Sequence, residues 1–384
     1  MVGARVDILE QHVEEATFLY RRLRRSCRIL DGNARQTRSL LARIDAHVDA
    51  LTLFSRETVG MLPPPEKATD PGERFVATAL ASATGDGLAA LGGADFGRDG
   101  HVAVRDAMLR YATSASRTAV EGWLAEGGDA ARGVGVELLA RWRDPRAAQV
   151  ASRAVRRGSG VLRAAGACAL GRLGEAVAEE TVVEVMGACA KETAWSEDVL
   201  DATVHAAPTT ALAVARRWEG GRLDLAWVLL GLRGAGEDRE RLREALGAHG
   251  AAGALPAALA LAGEHRTLDG LWAGAEALRV SNALREAAYV VLGGEAPPVV
   301  MSDDMVEEPE DREQRAQEDA ALRERMAGVG PGAWRWGAGA TPEAMTAVAG
   351  TLGPRPRRWC QAGLALWGQR AAAVWDDVAV GGRD

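Results

Sequence analysis

The sequence predicts an all-α fold, built as an α-solenoid of stacked helix pairs that follows an N-terminal helical hairpin. Two observations carry this prediction. Apolar residues recur at helical spacing through most of the chain, and no run alternates with the period of two that marks a strand. One segment also combines helical spacing with small residues between its apolar positions, which favours close contact between helices.

The clearest copy of this small-residue pattern is residues 162–174, LRAAGACALGRLG in one-letter code. Most of its remaining positions are Ala or Gly, so we expect a neighbouring helix to approach closely. The pattern is typical of stacked helix-pair repeats, in which no unit buries its apolar face alone. The apolar stripe of the predicted helix is spaced i, i+3, i+7 and i+11: Leu162, Ala165, Ala169 and Leu173.

Residues 1–58 predict the helical hairpin, with one helix over 6–30 and a second over roughly 35–56. The first helix carries an apolar stripe at spacings of three and four: Leu9, Val13, Ala16, Tyr20 and Leu23. The second carries a matching stripe: Leu40, Leu41, Ile44, Val48 and Leu51. The prolines within 57–72 predict a loop or linker after the hairpin.

Three further segments are predicted. Residues 73–293 form the solenoid, because Gly, Pro and Asp divide them into helices of about 11–14 residues with short connections. Residues 294–330 form an acidic linker, whose second half could instead be a solvated helix. Residues 331–384 form a C-terminal helix pair that packs on the solenoid or caps it.

Composition and charge narrow the class of protein. The chain is 47% hydrophobic and 26% charged, which is typical of a soluble globular protein, and no apolar run is long enough to span a membrane. Its four cysteines are widely separated and no secretory signal is evident, so we expect a cytoplasmic location. Residues 295–325 hold eleven acids and four bases, which accounts for the whole net charge of −7. The remaining near-neutral body argues against a nucleic-acid partner.

Catalytic signatures are absent from the sequence. It contains no Gly-x-Ser-x-Gly elbow, no phosphate-binding loop and no His-Glu-x-x-His motif. Cys360 beside Trp359 is more simply a core residue than a nucleophile. We therefore predict no catalytic residue and no cofactor, although an enzyme stays open because distant residues can converge in a fold.

One metal-binding hypothesis deserves a test against structure. His12 and Glu15 on the first helix could meet Asp45, His47 and Asp49 across the hairpin. Imidazole and carboxylate ligands on facing helices are how helical bundles hold metals. The simpler interpretation is a polar seam, because no Glu-x-x-His arrangement is repeated, and we predict no metal site.

Two groups of residues are candidates for partner binding. Arg21 and Arg25 belong to a basic stretch at the end of the first helix, where a solvated face is the alternative interpretation. Trp334, Arg335 and Trp336 lie together in a Gly-rich stretch, and an exposed Trp is a frequent binding hot spot. Core packing is the alternative for the tryptophans, including those spaced along the last helix: Trp359, Trp367 and Trp375.

The N-terminal text Ile8-Leu9-Glu10-Gln11-His12-Val13-Glu14-Glu15-Ala16-Thr17-Phe18-Leu19 resembles the opening of a family of HEAT-repeat-like proteins of Gram-negative bacteria, including myxobacteria and pseudomonads. The segment over 41–51 is similar to the second helix of that family. Residues 337–343, followed by the Arg-rich start of the last helix at 355–358, resemble its C-terminal unit. The resemblance implies HEAT-like helix pairs between the two ends.

The resemblance also implies a function. Genes of this family tend to lie beside type VI secretion components, such as spike and PAAR-like proteins. The chain is therefore expected to be a protein-binding scaffold, as an adaptor or chaperone that helps to load an effector or the spike. Its partner would be a spike or PAAR-like protein, or a secreted toxin. Two alternatives stay open: an immunity protein that neutralises a cognate toxin, and a HEAT-like enzyme or nucleic-acid-processing protein.

Overall fold

The computed structural model describes residues 2–26, 34–58, 60–189, 193–218, 223–273, 278–292, 309–327, 334–335, 338–339, 341–349 and 354–366. These residues confirm the all-α fold, since almost all of the ordered elements are helices. The described strands are two residues long each, β1 (Trp334–Arg335) and β2 (Ala338–Gly339), and pair antiparallel. The chain divides into two compact units, with the division between residues 207 and 208.

Unit 1 contains the hairpin and the first helix pairs. Its helices are α1 (Val2–Ser26), α2 (Ala34–Leu53), α3 (Ser55–Thr58), α4 (Pro71–Thr84), α5 (Arg98–Arg110), α6 (Ser114–Glu126), α7 (Asp129–Arg141), α8 (Ala147–Arg157), α9 (Gly160–Leu173), α10 (Glu179–Ala188) and α11 (Thr193–Ala206). Helices α5, α7, α9 and α11 pack side by side in that order, while α6, α8 and α10 cover α7, α9 and α11. This serial packing is compatible with a solenoid. A 3₁₀ helix, Leu88–Gly93, lies between α4 and α5.

Unit 2 repeats this arrangement. Its helices are α12 (Pro208–Arg217), α13 (Asp224–Arg233), α14 (Gly236–His249), α15 (Leu255–Leu261), α16 (His265–Ala273), α17 (Leu278–Leu292), α18 (Pro309–Ala327), α19 (Pro342–Ala349) and α20 (Pro354–Leu366). Helices α13, α15 and α17 pack in succession, and α20 packs on α12 and α13.

The small residues of α9 are the points where its neighbours come close, as the sequence predicted. A Cβ built on Gly166 would lie 2.9 Å from the Cβ of Ala154 on α8. A Cβ built on Gly171 would lie 2.7 Å from the Cβ of Ala202 on α11. Because α7, α8 and α11 all contact α9, most of this helix is buried rather than one stripe alone.

Helix extends into two segments for which the sequence predicted a linker, and for the second of them a solvated helix was the alternative. Helix α4 begins at Pro71, because the Asp70 carboxylate accepts hydrogen bonds from the backbone N–H groups of Gly72 (2.9 Å) and Glu73 (3.0 Å). Helix α18 occupies the second half of the acidic segment, and the Arg285 side chain of α17 donates to Asp319 of α18 (2.6 Å). The first half of the acidic segment lies outside the described residues.

Candidate protein-binding surface

The outer face of α1 is the main candidate for binding another protein. Its inner face is fixed by burial, because the predicted apolar stripe points into a core shared with α2 and α4. The five predicted core positions of α1 are confirmed as buried: Leu9, Val13, Ala16, Tyr20 and Leu23. The five of α2 are confirmed as well: Leu40, Leu41, Ile44, Val48 and Leu51. Thr17 and Leu19 are buried as well, and the exposed residues of α1 occupy the opposite side of the helix.

Two large apolar side chains lie on this outward side, Ile8 (56% exposed) and Phe18 (55% exposed). In the described part of the chain, the other exposed large apolar side chain is Leu53 at the end of α2. A single exposed apolar residue is ordinary. A large aromatic residue held on a rigid helix among charged neighbours is more typical of a protein interface.

Charge changes sign along the same face. The first half of α1 exposes acids, Asp7, Glu10 and Glu14, and the second half exposes the bases Arg22 and Arg25. Within the described residues, none of these five side chains forms an ion pair. Their charges are therefore available to a partner, and Glu14 and Arg22 lie one helical turn on either side of Phe18.

The arginines of the basic stretch at the end of α1 lie partly in the interior and partly at the surface. The Arg24 guanidinium turns inward to Asp106 (3.4 Å), and Arg21 donates from Nε to Asp70 (3.0 Å) while staying half exposed. Arg25 is exposed. Of the two arginines predicted to bind a partner, Arg25 is thus available and Arg21 also ties α1 to the start of α4. Arg28 lies outside the described residues.

Helix α1 is anchored to α5 by a buried aromatic and ionic contact. The Tyr20 hydroxyl donates to Asp106 of α5 (3.1 Å), and its ring stacks on Phe75 of α4 with centroids 4.0 Å apart. Burial and the neighbouring Asp106 raise the pKa of the Tyr20 hydroxyl well above its usual range. The tyrosine therefore remains a neutral donor, and the outer face of α1 is presented in a fixed orientation.

Helix α2 is anchored to α5 in the same way. The Asp45 carboxylate accepts a hydrogen bond from the Tyr111 hydroxyl (2.8 Å) and one from Nε of Arg110 (2.6 Å). These contacts use the carboxylate that the sequence offered as a possible metal ligand. The hairpin is consequently preformed, which reduces the entropy that a partner must overcome on binding.

A second group of charges is buried behind the hairpin and joins α5, α7 and α9. The Glu137 carboxylate, 2% exposed, accepts from Arg105 (3.0 Å) and hydrogen-bonds to His101 (2.8 Å), with Arg172 of α9 at 3.8 Å. Burial opposes its ionisation, but Arg105, His101 and Arg172 outweigh that cost and hold the pKa of Glu137 well below its usual range. An ionised carboxylate thus links three helices.

This ionic group continues to α11, where Arg98 donates to both carboxylate oxygens of Asp198 (2.7 and 2.9 Å). The sequence analysis did not identify any member of it. One signal was present, because Arg98, His101 and Arg105 are spaced i, i+3 and i+7 and so share a face of α5. The carboxylates that they share across helices, Glu137 and Asp198, lie 32 to 100 residues away in the sequence, which no local pattern reveals.

The structure brings together two of the five residues that the metal-binding hypothesis named. His12 and His47 meet across the hairpin with their Nδ1 atoms 2.8 Å apart. The carboxylates do not join them, because Asp45 is bonded to α5 and Glu15 pairs with Arg43 (3.6 Å). Among the described residues, no group of three or more His, Cys, Asp or Glu side chains could hold a metal ion. The contact is a polar seam between two imidazoles.

This imidazole pair predicts a pH dependence. Burial, His12 and Arg43 lower the pKa of His47, and Glu15 offsets them only in part. Because the unfolded chain then binds a proton more readily than the folded chain, stability is complete above the usual histidine pKa and falls as the pH drops below it. Melting temperatures from about pH 7.5 to about pH 5.5 should decrease less for His47→Gln than for the wild type. Identical pH profiles would contradict this prediction.

The other predicted partner-binding residues lie largely beyond what the structure describes. Trp334 and Arg335 form the first strand of the two-residue ladder, where Trp334 pairs with Gly339, but their side chains are not among those described. Trp336, Trp367 and Trp375 lie outside the described residues. Trp359 is buried (4% exposed), as the core interpretation predicts.

The described cysteines, Cys168, Cys189 and Cys360, are buried thiols, which agrees with the core interpretation of Cys360. Burial raises the pKa of the Cys168 thiol well above its usual range, and Cys360 donates from Sγ to the Met345 carbonyl (3.2 Å). Each thiol is therefore part of the packing, and Cys27 lies outside the described residues.

Comparison with known proteins returned no match from protein-family models, curated proteins or solved structures. Of the helices that the structure describes, none combines the length and the apolar character needed to cross a membrane.

Proposed function

We propose that this protein is a protein-binding scaffold whose outer α1 face binds a partner. The observation that carries the proposal is the exposure of Phe18 and Ile8 on a helix fixed to the core, among acids and bases that form no ion pair with any residue the structure describes. Aromatic side chains surrounded by charged neighbours are enriched at interfaces, and a preformed surface is the ordinary case for stable complexes.

The charge pattern supports a protein as the partner. Acids and bases on one helix face favour a partner with complementary charges of both signs and disfavour a polyanion such as a nucleic acid. A cytoplasmic adaptor or chaperone role in type VI secretion, through a spike or PAAR-like protein or a secreted toxin, is supported by the resemblance of residues 8–19 and 41–51. The proposal assigns no catalytic role.

Replacing Phe18 with Asp is expected to weaken partner binding at least tenfold, because an interface aromatic would be exchanged for a desolvated charge. The experiment titrates the purified chain with each spike and PAAR-like protein of the same genome, and reads the dissociation constant by calorimetry. The control is the double variant Arg153→Glu, Arg156→Glu, which changes two exposed side chains of α8. It should bind the partner as the wild type does.

Three outcomes separate the possibilities. Loss of binding in Phe18→Asp alone supports the adaptor proposal. Binding only to a co-encoded toxin, with rescue of growth when both are expressed, would replace it with the immunity alternative. Equal affinity of the wild type and Phe18→Asp for every such partner would show that the outer α1 face is not the binding surface.

A further inference from the structure

We infer that the outer face of α1 binds a second copy of this chain, with the two α1 helices antiparallel about a two-fold axis. The inference rests on that part of the proposed function which assigns protein binding to this face. The order of acidic and basic side chains along α1 indicates that the partner is a second copy of the chain.

The face is a narrow strip centred on Phe18. At 3.6 residues per turn, its members lie within about 40° of Phe18 around the helix axis. The strip begins with acids and ends with bases, and its members are exposed in order along α1: Asp7, Gln11, Glu14, Phe18, Arg22 and Arg25.

An antiparallel copy complements this strip. With the two-fold axis at the level of residue 16, Asp7 lies opposite Arg25 of the second copy. Glu14 lies level with Phe18 of the second copy, about one helical turn from its Arg22. Every contact occurs twice, as a closed two-fold interface requires. A parallel copy would instead place acids against acids and bases against bases, so charge selects the antiparallel arrangement.

The apolar part of the face fits the same axis. Phe18 is two residues from the axis, so at a rise of about 1.5 Å per residue the two Phe18 side chains lie about 6 Å apart along the helices. That separation suits an aromatic pair. One helix pair is a small contact beside the roughly 1,200–2,000 Å² of a standard interface, so we expect a reversible dimer that forms at micromolar or higher concentration.

Sedimentation equilibrium on the full chain tests this inference. The apparent mass should rise from the 40.4 kDa of one chain toward twice that value between low micromolar and several hundred micromolar protein. The rise should be absent in Phe18→Asp and weaker in molar salt, since salt screens the exposed charges. A wild type that stays monomeric throughout this range would overturn the inference.

Charge reversal supplies a sharper test. Arg22→Glu with Arg25→Glu makes the four charged positions of the strip acidic, and Asp7→Arg with Glu14→Arg makes the same four positions basic. Each double variant alone should dimerise at least tenfold more weakly than the wild type, and a mixture of the two should form a one-to-one heterodimer. The control Arg153→Glu, Arg156→Glu should dimerise as the wild type does. Unchanged self-association of both variants, or no complex in the mixture, would overturn the inference.

The two proposals can fail separately. A monomeric wild type whose binding to a spike or PAAR-like protein depends on Phe18 contradicts the dimer and leaves the scaffold proposal standing. A charge-dependent dimer that binds none of those proteins supports the dimer and contradicts the adaptor role.

Discussion

Adding a methyl group at Gly171 is expected to destabilise unit 1 by about 2 kcal/mol or more, even though Ala is the better helix former. The added Cβ would lie 2.6 Å from the carbonyl carbon and 2.7 Å from the Cβ of Ala202 on α11. The carbonyl group belongs to the backbone of α11 and the Cβ is fixed to it, so α9 and α11 must separate for the methyl group to fit. Urea unfolding of Gly171→Ala, followed by circular dichroism, measures the loss.

The variant Gly231→Ala is expected to destabilise unit 2 in the same way. A Cβ there would lie 2.9 Å from both the Cα and the carbonyl carbon of Ala258 on α15, and closer still to the carbonyl oxygen of Ala258. The matched control is Gly122→Ala on α6, where the new Cβ meets nothing within 4 Å, so helix propensity alone should stabilise the protein by about 1 kcal/mol. If Gly171→Ala and Gly231→Ala were as stable as Gly122→Ala, the close packing described for α9 and α13 would be wrong.

Glu137→Gln is expected to cost about 3–5 kcal/mol, because it removes the negative charge that Arg105, His101 and Arg172 face inside unit 1. The replacement keeps the volume of the side chain, so the loss reports charge rather than a cavity. Glu184→Gln is the control, since Glu184 also pairs with an arginine, Arg163 at 2.7 Å, but is 61% exposed. That variant should stay within about 1 kcal/mol of the wild type.

The same carboxylate predicts how stability responds to acid. The folded pKa of Glu137 lies well below the unfolded value, so its contribution is complete above that unfolded value and is lost as the pH falls through the folded pKa. The difference in unfolding free energy between wild type and Glu137→Gln should therefore shrink on acidification from neutral pH. Asp106, whose pKa is also lowered, leaves both proteins with some acid sensitivity. A gap that is small at neutral pH and grows in acid would contradict this assignment.

Local patterns were enough to predict the helices and their inner faces. The spacing of apolar residues in α1 and α2 identified the buried positions, because a period of three to four places them on one side of a helix. The Ala and Gly residues of α9 likewise predicted close neighbours. The pattern did not show that α7, α8 and α11 all pack against α9, since the number of neighbours depends on the whole unit.

The binding surface on α1 was harder to predict from the sequence than the helices were. The arginines at the end of α1 share one basic run, yet Arg24 is drawn inward by Asp106, which follows it by 82 residues, while Arg25 stays at the surface. Phe18 was not singled out, because an aromatic residue next to the buried Leu19 and Tyr20 does not differ from them in type. Its exposure depends on which face of α1 the core occupies.

Hydroxyl-radical footprinting of Phe18 is the most direct test of the central claim that the outer α1 face is a binding surface held ready on a rigid helix. Phe18 should react readily in dilute protein, and its reactivity should fall when the chain is concentrated or saturated with a spike or PAAR-like protein, while exposed Leu53 reacts unchanged. A Phe18 side chain that is already protected in the dilute monomer, or that keeps its full reactivity in every complex formed, would contradict the claim.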